Sequence, residues 1–359
     1  MTFRLVQAAA TVVHMSKTVL LGMSGGIDSS YAASLLKSEG YEVVGAYCIM
    51  HEYAEKELED AKRVANSLNV ELKTADLTDS FDEIVKNYFI NAYSNAKTPN
   101  PCVVCNPTVK FKALCDLADK LGIEKIATGH YAGTGYDEKT GRYFIKKASY
   151  KDQSYMLCRL TQEQISRIIF PLYGTEKDDN RKAAALSGIP LADKPDSQEI
   201  CFIPDKDYAS FIENRVGKFP EGEFWLEEDE KVVGTHKGLI HYTVGQRKYL
   251  GIALGEKIYV KGFDIPNNRI ILSRNDVTDN KGLVCEDLVF QGLDPKTESF
   301  DSDVKIRYAH KEAQSSSIID DGKIRTVFCR NQRAVTPGQF AVYYEGDKVL
   351  CAGEITHSI

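Results

Sequence analysis

The sequence predicts an α/β fold in which a doubly wound, mostly parallel sheet is followed by a strand-rich C-terminal region. Up to about residue 128, short apolar segments alternate with amphipathic segments. This alternation is typical of a parallel sheet with helices on both faces. From residue 231 onward, short strand-like segments and turn residues dominate. Their spacing favours an antiparallel barrel or sandwich.

The N-terminal elements follow from apolar periodicity. In chain order, they are strand Thr18–Met23, helix Ser29–Glu39, strand Tyr41–Met50, helix Glu55–Leu68, strand Glu71–Asp76, helix Ser80–Tyr93, helix Lys110–Leu121 and strand Ile123–Thr128. The predicted C-terminal strands are Lys257–Phe263, Arg269–Ser273, Val304–Tyr308, Ile324–Cys329, Gln339–Tyr344 and Lys348–Ile355. Ligands of such a parallel sheet bind beyond the carboxyl ends of its strands.

Composition and net charge argue against several classes of protein. The chain has 359 residues and a net charge of -6, so a nucleic-acid partner must bind through local basic faces. The nine cysteines contain only one closely spaced pair, which argues against a disulfide scaffold. No apolar run reaches the roughly 18 to 20 residues of a membrane span, and we expect a cytoplasmic protein. Because Met15-Ser16-Lys17 leads into the first strand, one interpretation of residues 1–15 is an extension upstream of the native start.

A Gly/Ser-rich segment joins the first strand to the first helix, and it reads Gly22-Met23-Ser24-Gly25-Gly26-Ile27-Asp28-Ser29. Its glycines let backbone N–H groups approach a phosphate, and the helix N-terminus adds a favourable dipole. Asp28 cannot attract a phosphate, so we expect it to orient the loop or to bind Mg²⁺. The alternative is a simple capped turn. The segment resembles the loop of the PP-loop ATP pyrophosphatases. That resemblance implies cleavage of ATP between the α- and β-phosphates, with AMP transferred to a substrate oxygen.

Three cysteines are candidates for chemistry. Cys102 and Cys105 lie three residues apart in Thr98–Asn106, which we expect to be a loop. This spacing suits a redox pair, half of a zinc site or part of an iron–sulfur site. Cys201 is the third candidate, although a lone cysteine before Phe-Ile is more often a buried apolar residue. The same buried interpretation applies to Cys48, Cys115, Cys158, Cys285, Cys329 and Cys351.

Eight segments occur in the order typical of one family. They are Gly22–Ser30, Thr98–Asn106, Ala127–Ala132, Lys151–Tyr155, Asp196–Ile203, Tyr242–Lys248, Lys305–Tyr308 and Gln332–Gln339. From about residue 17 to the C-terminus, the chain resembles the tRNA-specific 2-thiouridylases. The resemblance implies a PP-loop domain (1–204), a small central tRNA-contacting domain (205–275) and a C-terminal β-barrel (276–359). It also implies that ATP adenylates O2 of the wobble uridine, and that a cysteine persulfide then delivers sulfur to C2.

The resemblance also implies roles for individual residues. Cys201 matches the persulfide cysteine and Cys105 its disulfide-forming partner. The implied ATP-binding positions are Gly22–Ser29, Gly129 and, next to the adenine, Cys48. The segment facing the target base is Asn100, Pro101 and Cys102. The implied tRNA contacts are His130, Lys151, Asp152, Gln153, Arg307, Tyr308 and Gln339. The implied partners are ATP with Mg²⁺, tRNA, and a sulfur donor that is a cysteine desulfurase or a sulfur-relay protein. We expect a monomer.

Two departures from the family pattern leave alternatives open. The family's usual loop reads Asn-Pro-Asp-x-x-Cys-Asn, and Cys102 replaces its Asp. One alternative is a [4Fe–4S] cluster held by Cys102, Cys105 and Cys201, with sulfide on the open iron. Another is that Cys102 senses redox state or is incidental. The segment after the second strand is also shorter than usual, which affects the adenine pocket. Competing functions are thiolation of another tRNA base and a non-catalytic tRNA-binding or sulfur-carrying protein.

Overall fold

The computed structural model describes residues 17–186, 200–274 and 280–359. The predicted upstream extension (1–15) and the predicted boundary between residues 275 and 276 lie outside these ranges. The helices are α1 (Ile27–Ser38), α2 (Glu55–Ser67), α3 (Thr78–Phe81), α4 (Asn87–Ser94), α5 (Pro101–Cys105), α6 (Phe111–Leu121), α7 (Gln162–Arg167), α8 (Lys177–Leu186) and α9 (Tyr208–Val216).

The strands alternate with these helices in the first half of the chain and dominate the second half. They are β1 (Lys17–Gly22), β2 (Tyr41–Ile49), β3 (Glu71–Asp76), β4 (Lys125–Thr128), β5 (Ala132–Asp137), β6 (Arg142–Lys147), β7 (Ile168–Ile169), β8 (Gly222–Leu226), β9 (Lys231–His236), β10 (Tyr259–Asp264), β11 (Arg269–Ser273), β12 (Asn280–Phe290), β13 (Ser299–Lys305), β14 (Ala313–Asp320), β15 (Lys323–Gln332), β16 (Phe340–Glu345) and β17 (Lys348–Ser358).

The first sheet is parallel, with the strand order β3-β2-β1-β4-β7. Successive side chains of β1 point to opposite faces, and both faces are buried. Leu20 packs into one hydrophobic core, whereas Val19 and Leu21 pack into another. These two cores confirm the predicted doubly wound α/β fold. The order also places the carboxyl ends of β1, β2 and β4 side by side, because β1 pairs with both neighbours.

The cysteine pair lies on a helix, so the predicted loop is wrong at this point. Asn100 caps α5 by accepting a hydrogen bond from the Val103 N–H at 3.4 Å, and Pro101 occupies the first turn. Asn followed by Pro is a favourable helix start, since the side chain caps while proline lacks only an N–H that would be unpaired anyway. A π-helical turn, Asn106–Lys110, then joins α5 to α6. A second π-helical turn, Asp82–Lys86, joins α3 to α4.

The C-terminal region is a closed barrel rather than a sandwich. The strand order is β12-β15-β14-β13-β16-β17, and β17 pairs back with β12. The strand predicted at Val304–Tyr308 is misplaced, because β13 begins at Ser299 and ends at Lys305. The prediction that Cys329 is buried is also wrong. It is exposed on β15, where alternate residues face away from the core.

Strand pairing and hydrogen bonds join the barrel to the first domain on two sides. Hairpin β5–β6 extends the barrel sheet through the Lys146–Lys348 pair. On the other side, Gln339 Nε2 donates to the Thr98 carbonyl at 2.8 Å, just before α5. Between these domains in the chain, α9 precedes a small sheet with the order β10-β11-β8-β9. Within the described ranges, no helix is long and apolar enough to cross a membrane.

Candidate active site

A cavity of about 500 Å³ lies at the carboxyl ends of β1, β2 and β4. Its lining comes from segments that are far apart in the sequence. They are Gly22–Ser24 with Gly26–Ser29, Ala46–Cys48, Met50, His51, Ala54, Glu57, Lys110, Leu114, Thr128–His130, Lys151, Gln153 and Cys201. The cavity therefore brings together the predicted nucleotide loop, Gly129, Cys48 and one of the predicted sulfur-chemistry cysteines.

The glycine-rich loop is held in a fixed shape by its own serines. Ser29 Oγ donates to the Gly26 carbonyl at 3.0 Å, and the Ser24 N–H donates to Ser29 Oγ at 3.2 Å. Gly25 has φ +70, a conformation that favours glycine. Gly26 caps α1 without a side-chain hydrogen bond. The N-terminus of α1 thus faces the cavity with backbone donors suited to an anion.

Asp28 organises a group of cationic side chains beside this loop. Its carboxylate accepts hydrogen bonds from Tyr131 OH at 2.8 Å and from Lys151 Nζ at 3.2 Å, and Lys177 Nζ lies 3.9 Å away. Burial, together with the nearby Lys151, lowers the pKa of Lys177 to about 8. Of the two predicted roles for Asp28, this arrangement favours orienting the loop and its lysines over binding Mg²⁺.

Lys110 is a cation whose charge acts on all three candidate thiols. It closes the π-helical turn after Cys105, lines the cavity with Cys201, and forms no ion pair with any residue in the described ranges. Protein atoms packed around the sulfurs raise the pKa of Cys105 to about 12 and that of Cys201 to about 11, and they also raise the pKa of Cys102, although Cys102 and Cys201 keep exposed surface. The positive charge of Lys110 acts in the opposite direction on all three thiols.

Cys102 and Cys201 are solvent-accessible, whereas Cys105 is buried. Each is close enough to another of the three for a thiolate on one to raise the pKa of its neighbour. In the part of the chain that the structure describes, no three His, Cys, Asp or Glu side chains are placed to hold a metal ion. This donor arrangement does not fit the iron–sulfur alternative.

The predicted tRNA contacts near Lys151 have different surroundings. His130 lies inside the cavity, where its Nδ1 is 2.8 Å from Thr128 Oγ1. Burial, with Lys110 and Lys151 nearby, lowers the pKa of His130 to about 3, so the ring is neutral at pH 7. The side chains of Asp152 and Gln153 bind backbone N–H groups, including that of Tyr131 at 2.8 Å. These bonds fix the segment that carries Lys151.

The barrel places Tyr308 against the same segment. Tyr308 is partly exposed, and its ring centre lies 6.2 Å from that of Tyr155. Lys305 Nζ lies 5.5 Å from the centre of the Tyr308 ring. Arg307 is half-buried beside it, and Gln339 binds Thr98 as described above. Arg307 and Tyr308 thus lie beside the Lys151 segment, while Gln339 lies at the start of the cysteine helix.

Sequence reasoning missed several residues of this site. Lys110 and Lys177 belong to helical segments with no motif of their own, and Tyr131 lies within the Ala127–Ala132 segment but had been given no role. Their proximity depends on the fold. His51 and Glu57 line the part of the cavity wall that follows β2, where no site residues were predicted from the sequence. A histidine and an acidic residue just beyond a buried strand were the available signals for these two.

A parallel sheet in this order, with a Ser-Gly-Gly-Ile-Asp-Ser loop leading into α1, defines a PP-loop nucleotide-binding enzyme. Family models match most of the chain. They are described as a tRNA methyl transferase HUP domain (17–205), a tRNA methyl transferase PRC-barrel domain (209–274) and an aminomethyltransferase beta-barrel domain (280–355).

Similar full-length proteins carry a more specific name. The tRNA-specific 2-thiouridylase MnmA of Acetivibrio thermocellus is 42% identical, with 94% of this chain and 99% of that protein covered. The protein of the same name from Clostridioides difficile is 40% identical, with 97% of this chain and 100% of that protein covered. A third, tRNA-specific 2-thiouridylase MnmA 2 of Caldanaerobacter subterraneus subsp. tengcongensis, is 41% identical, with 97% and 100% covered. The chain belongs to the tRNA-specific 2-thiouridylase family.

Proposed function

We propose that this protein is an ATP-dependent sulfurtransferase that converts the wobble uridine of tRNA to 2-thiouridine. The observation that carries the proposal is that one cavity holds both a phosphate-binding loop and the Cys201 thiol. A carbonyl oxygen is a poor leaving group until it is activated, whereas sulfur is a good nucleophile near neutral pH. A site that joins ATP to a thiol therefore suits replacement of oxygen by sulfur better than transfer of a methyl group.

The first step uses the loop end of the cavity. Uridine O2 attacks the α-phosphorus of ATP, the bond to the β-phosphate breaks, and pyrophosphate leaves. Backbone N–H groups at Gly26–Ser29, with Lys151 and Lys177 nearby, are suited to stabilise the phosphates. Mg²⁺ would bind together with ATP and not to Asp28. The Asp28 carboxylate already contacts the Tyr131 hydroxyl and the ammonium groups of Lys151 and Lys177.

The second step uses the thiols. A persulfide on Cys201, loaded by a separate sulfur donor, attacks C2 of the adenylated uridine through its terminal sulfur. The Cys105 thiol loses its proton, with the Lys110 ammonium opposing the effect of burial on its pKa, and then attacks Cys201 Sγ and breaks the persulfide bond. The bonding electrons pass to the transferred sulfur, which forms the C2 thiocarbonyl as AMP leaves. The product enzyme carries a Cys105–Cys201 disulfide, which an external thiol must reduce before the next cycle. Lys110 stabilises the thiolates during this exchange.

The tRNA contacts remain part of the proposal. A base must leave its stack to reach an enclosed site, so contacts to the flanking backbone are required. Asn100 and Pro101, at the start of α5, would face the base together with Cys102. Lys151, Arg307, Tyr308 and Gln339 would hold the flanking nucleotides, since the barrel packs against the same segments.

The test is thiolation of an unmodified tRNA transcript by anaerobically purified protein with ATP, Mg²⁺ and a persulfide donor. Mass analysis of the nucleosides identifies the modified base. We expect Cys201→Ala and Cys105→Ala to abolish 2-thiouridine formation but to keep tRNA-dependent pyrophosphate release. Cys102→Ala should retain activity, and Cys115→Ala, which changes a buried cysteine that does not line the cavity, is the matched control. Full activity of Cys201→Ala would contradict the mechanism, and thiolation at another base would contradict the proposed product.

A further inference from the structure

Two buried polar atoms in the cavity wall have no hydrogen-bond partner within the described structure: His51 Nδ1 and Glu57 Oε2. Both residues line the same cavity as the PP-loop. Leaving a buried polar atom unpaired costs about 1–3 kcal/mol, so native proteins rarely retain such atoms without a ligand or water. The pair is therefore open to a polar group of a ligand, with water in its place when no ligand is bound.

The distribution of charge in the cavity indicates which part of a nucleotide lies beside His51 and Glu57. Lys151 pairs with Asp28 beside the backbone donors of the PP-loop, where β1 ends. Glu57 lies toward β2, among Tyr47, Cys48 and Ala54. A triphosphate would be repelled by a buried carboxylate, whereas a nucleoside suits a partly apolar wall that carries a few polar atoms. The phosphates thus belong at the cationic end, and the nucleoside belongs beside Glu57.

Local structure holds both residues in place. The turn between β2 and α2 contains His51, and Glu57 lies in the first turn of α2. That turn packs directly on the PP-loop, because a Cβ on Gly25 would lie 2.8 Å from the Glu57 carbonyl oxygen. Lys86, whose side chain is only 2% exposed, lies 3.6 Å from Glu52 and ties the same turn to the π-helical segment. The wall is thus built at a fixed distance from the phosphate loop.

We propose that Glu57 and His51 bind the ribose of ATP. The Glu57 carboxylate accepts a hydrogen bond from one ribose hydroxyl, and His51 Nδ1 forms a hydrogen bond with the adjacent hydroxyl. An ionised carboxylate only accepts hydrogen bonds, and the paired ribose hydroxyls are donors of the right spacing. Carboxylates beyond a neighbouring parallel strand serve this purpose in other nucleotide-binding sheets. The inference rests on the proposed use of ATP and adds the residues that recognise its sugar.

The test measures binding of ATP, 2′-deoxyATP and 3′-deoxyATP with Mg²⁺ to the full chain by isothermal titration calorimetry. In the wild-type protein, removing the hydroxyl that Glu57 binds should weaken affinity about tenfold, as expected for a hydrogen bond to a charged group. Glu57→Ala should weaken ATP binding by about the same factor and abolish discrimination against that deoxy analogue. His51→Ala should abolish discrimination at the other hydroxyl. Glu55→Gln, an exposed acid in the same helical turn, is the matched control and should behave as wild type.

The outcomes separate the two proposals. Equal losses of ATP and deoxyATP affinity in Glu57→Ala would overturn ribose recognition, as would wild-type affinity in that variant. Either result leaves ATP binding, and so the proposed function, intact. Wild-type protein that binds none of the three nucleotides would instead contradict the proposed ATP-dependent function. Thermal melting of each variant, expected within a few degrees of wild type, verifies that the compared proteins are folded.

Discussion

Adding a methyl group at Gly129 should damage the nucleotide site more than it damages the fold. A Cβ there would lie 2.7 Å from the Ser29 nitrogen and 2.8 Å from the Asp28 carbonyl carbon, whereas ordinary contacts begin at 3.4 Å. Both neighbours are backbone atoms, so no side-chain rotation relieves the overlap. The loop would have to move by roughly 0.7 Å, the difference between the two distances. A hydrogen bond lengthened by that amount, from about 2.9 Å to about 3.6 Å, no longer counts as one.

We therefore expect Gly129→Ala to lose one or two hydrogen bonds to the phosphates, each worth about 1.5–3 kcal/mol because the acceptor is charged. ATP affinity should fall by about 10-fold for the weakest single bond and by about 10⁴-fold for two of the strongest. The strain of overpacking should reduce the free energy of unfolding by about 1–3 kcal/mol. Calorimetric titration with ATP and urea denaturation measure the two effects separately.

Gly262→Ala provides the control for the added methyl group, because a Cβ at that position meets nothing within 4 Å. It should keep wild-type ATP affinity and stability. If Gly129→Ala binds ATP as the wild type does, while losing only stability, then the loop beside Gly129 does not hold the phosphates and the assignment of the site is wrong.

Three further predictions follow from single contacts. Because the pKa of Lys177 is lowered to about 8 by burial and a neighbouring lysine, ATP affinity should fall as pH rises from 7 to 9. Lys177→Arg stays charged, so calorimetry should show that decline reduced, and an unchanged decline would exclude Lys177 as its cause. Gln291, which is fully buried, bonds the Ile145 N–H and two carbonyls that follow the hairpin, so Gln291→Leu should lower the free energy of unfolding by about 2–3 kcal/mol in urea. A loss below about 0.5 kcal/mol would mean that those groups find other partners. Thr161 forms a capping box with Gln164, so Thr161→Ala should cost about 1 kcal/mol by the same measurement, and Thr161→Ser should cost much less.

Local sequence patterns were sufficient to predict most of the strands and helices of the region where apolar and amphipathic segments alternate. β3 and β11 lie within their predicted bounds, and α2 ends within one residue of its predicted end. Apolar periodicity specifies such elements because their buried faces repeat along the chain. The hairpin β5–β6 was missed, since its exposed and buried residues alternate too irregularly to indicate a strand.

The cysteine segment shows a different limit. Asn100 and Pro101 carry a helix-start signal, yet Asn and Pro are also frequent in loops, and the two interpretations compete locally. The helix is decided by packing, because Val103 and Cys105 are buried against other elements. The capping hydrogen bond of Asn100 then completes the helix start.

The sequence by itself determined that a phosphate loop follows the first strand, that the sheet is parallel, and that the chain belongs among PP-loop proteins. Those conclusions depend on residues close together in the chain. Only the tertiary structure decided that Lys110, Cys201 and Glu57 meet at that loop, because their meeting depends on which strand ends adjoin in the order β3-β2-β1-β4-β7. Strand order is set by packing between distant segments. It produces no local sequence pattern, so the residues that line the cavity could not be predicted from the sequence.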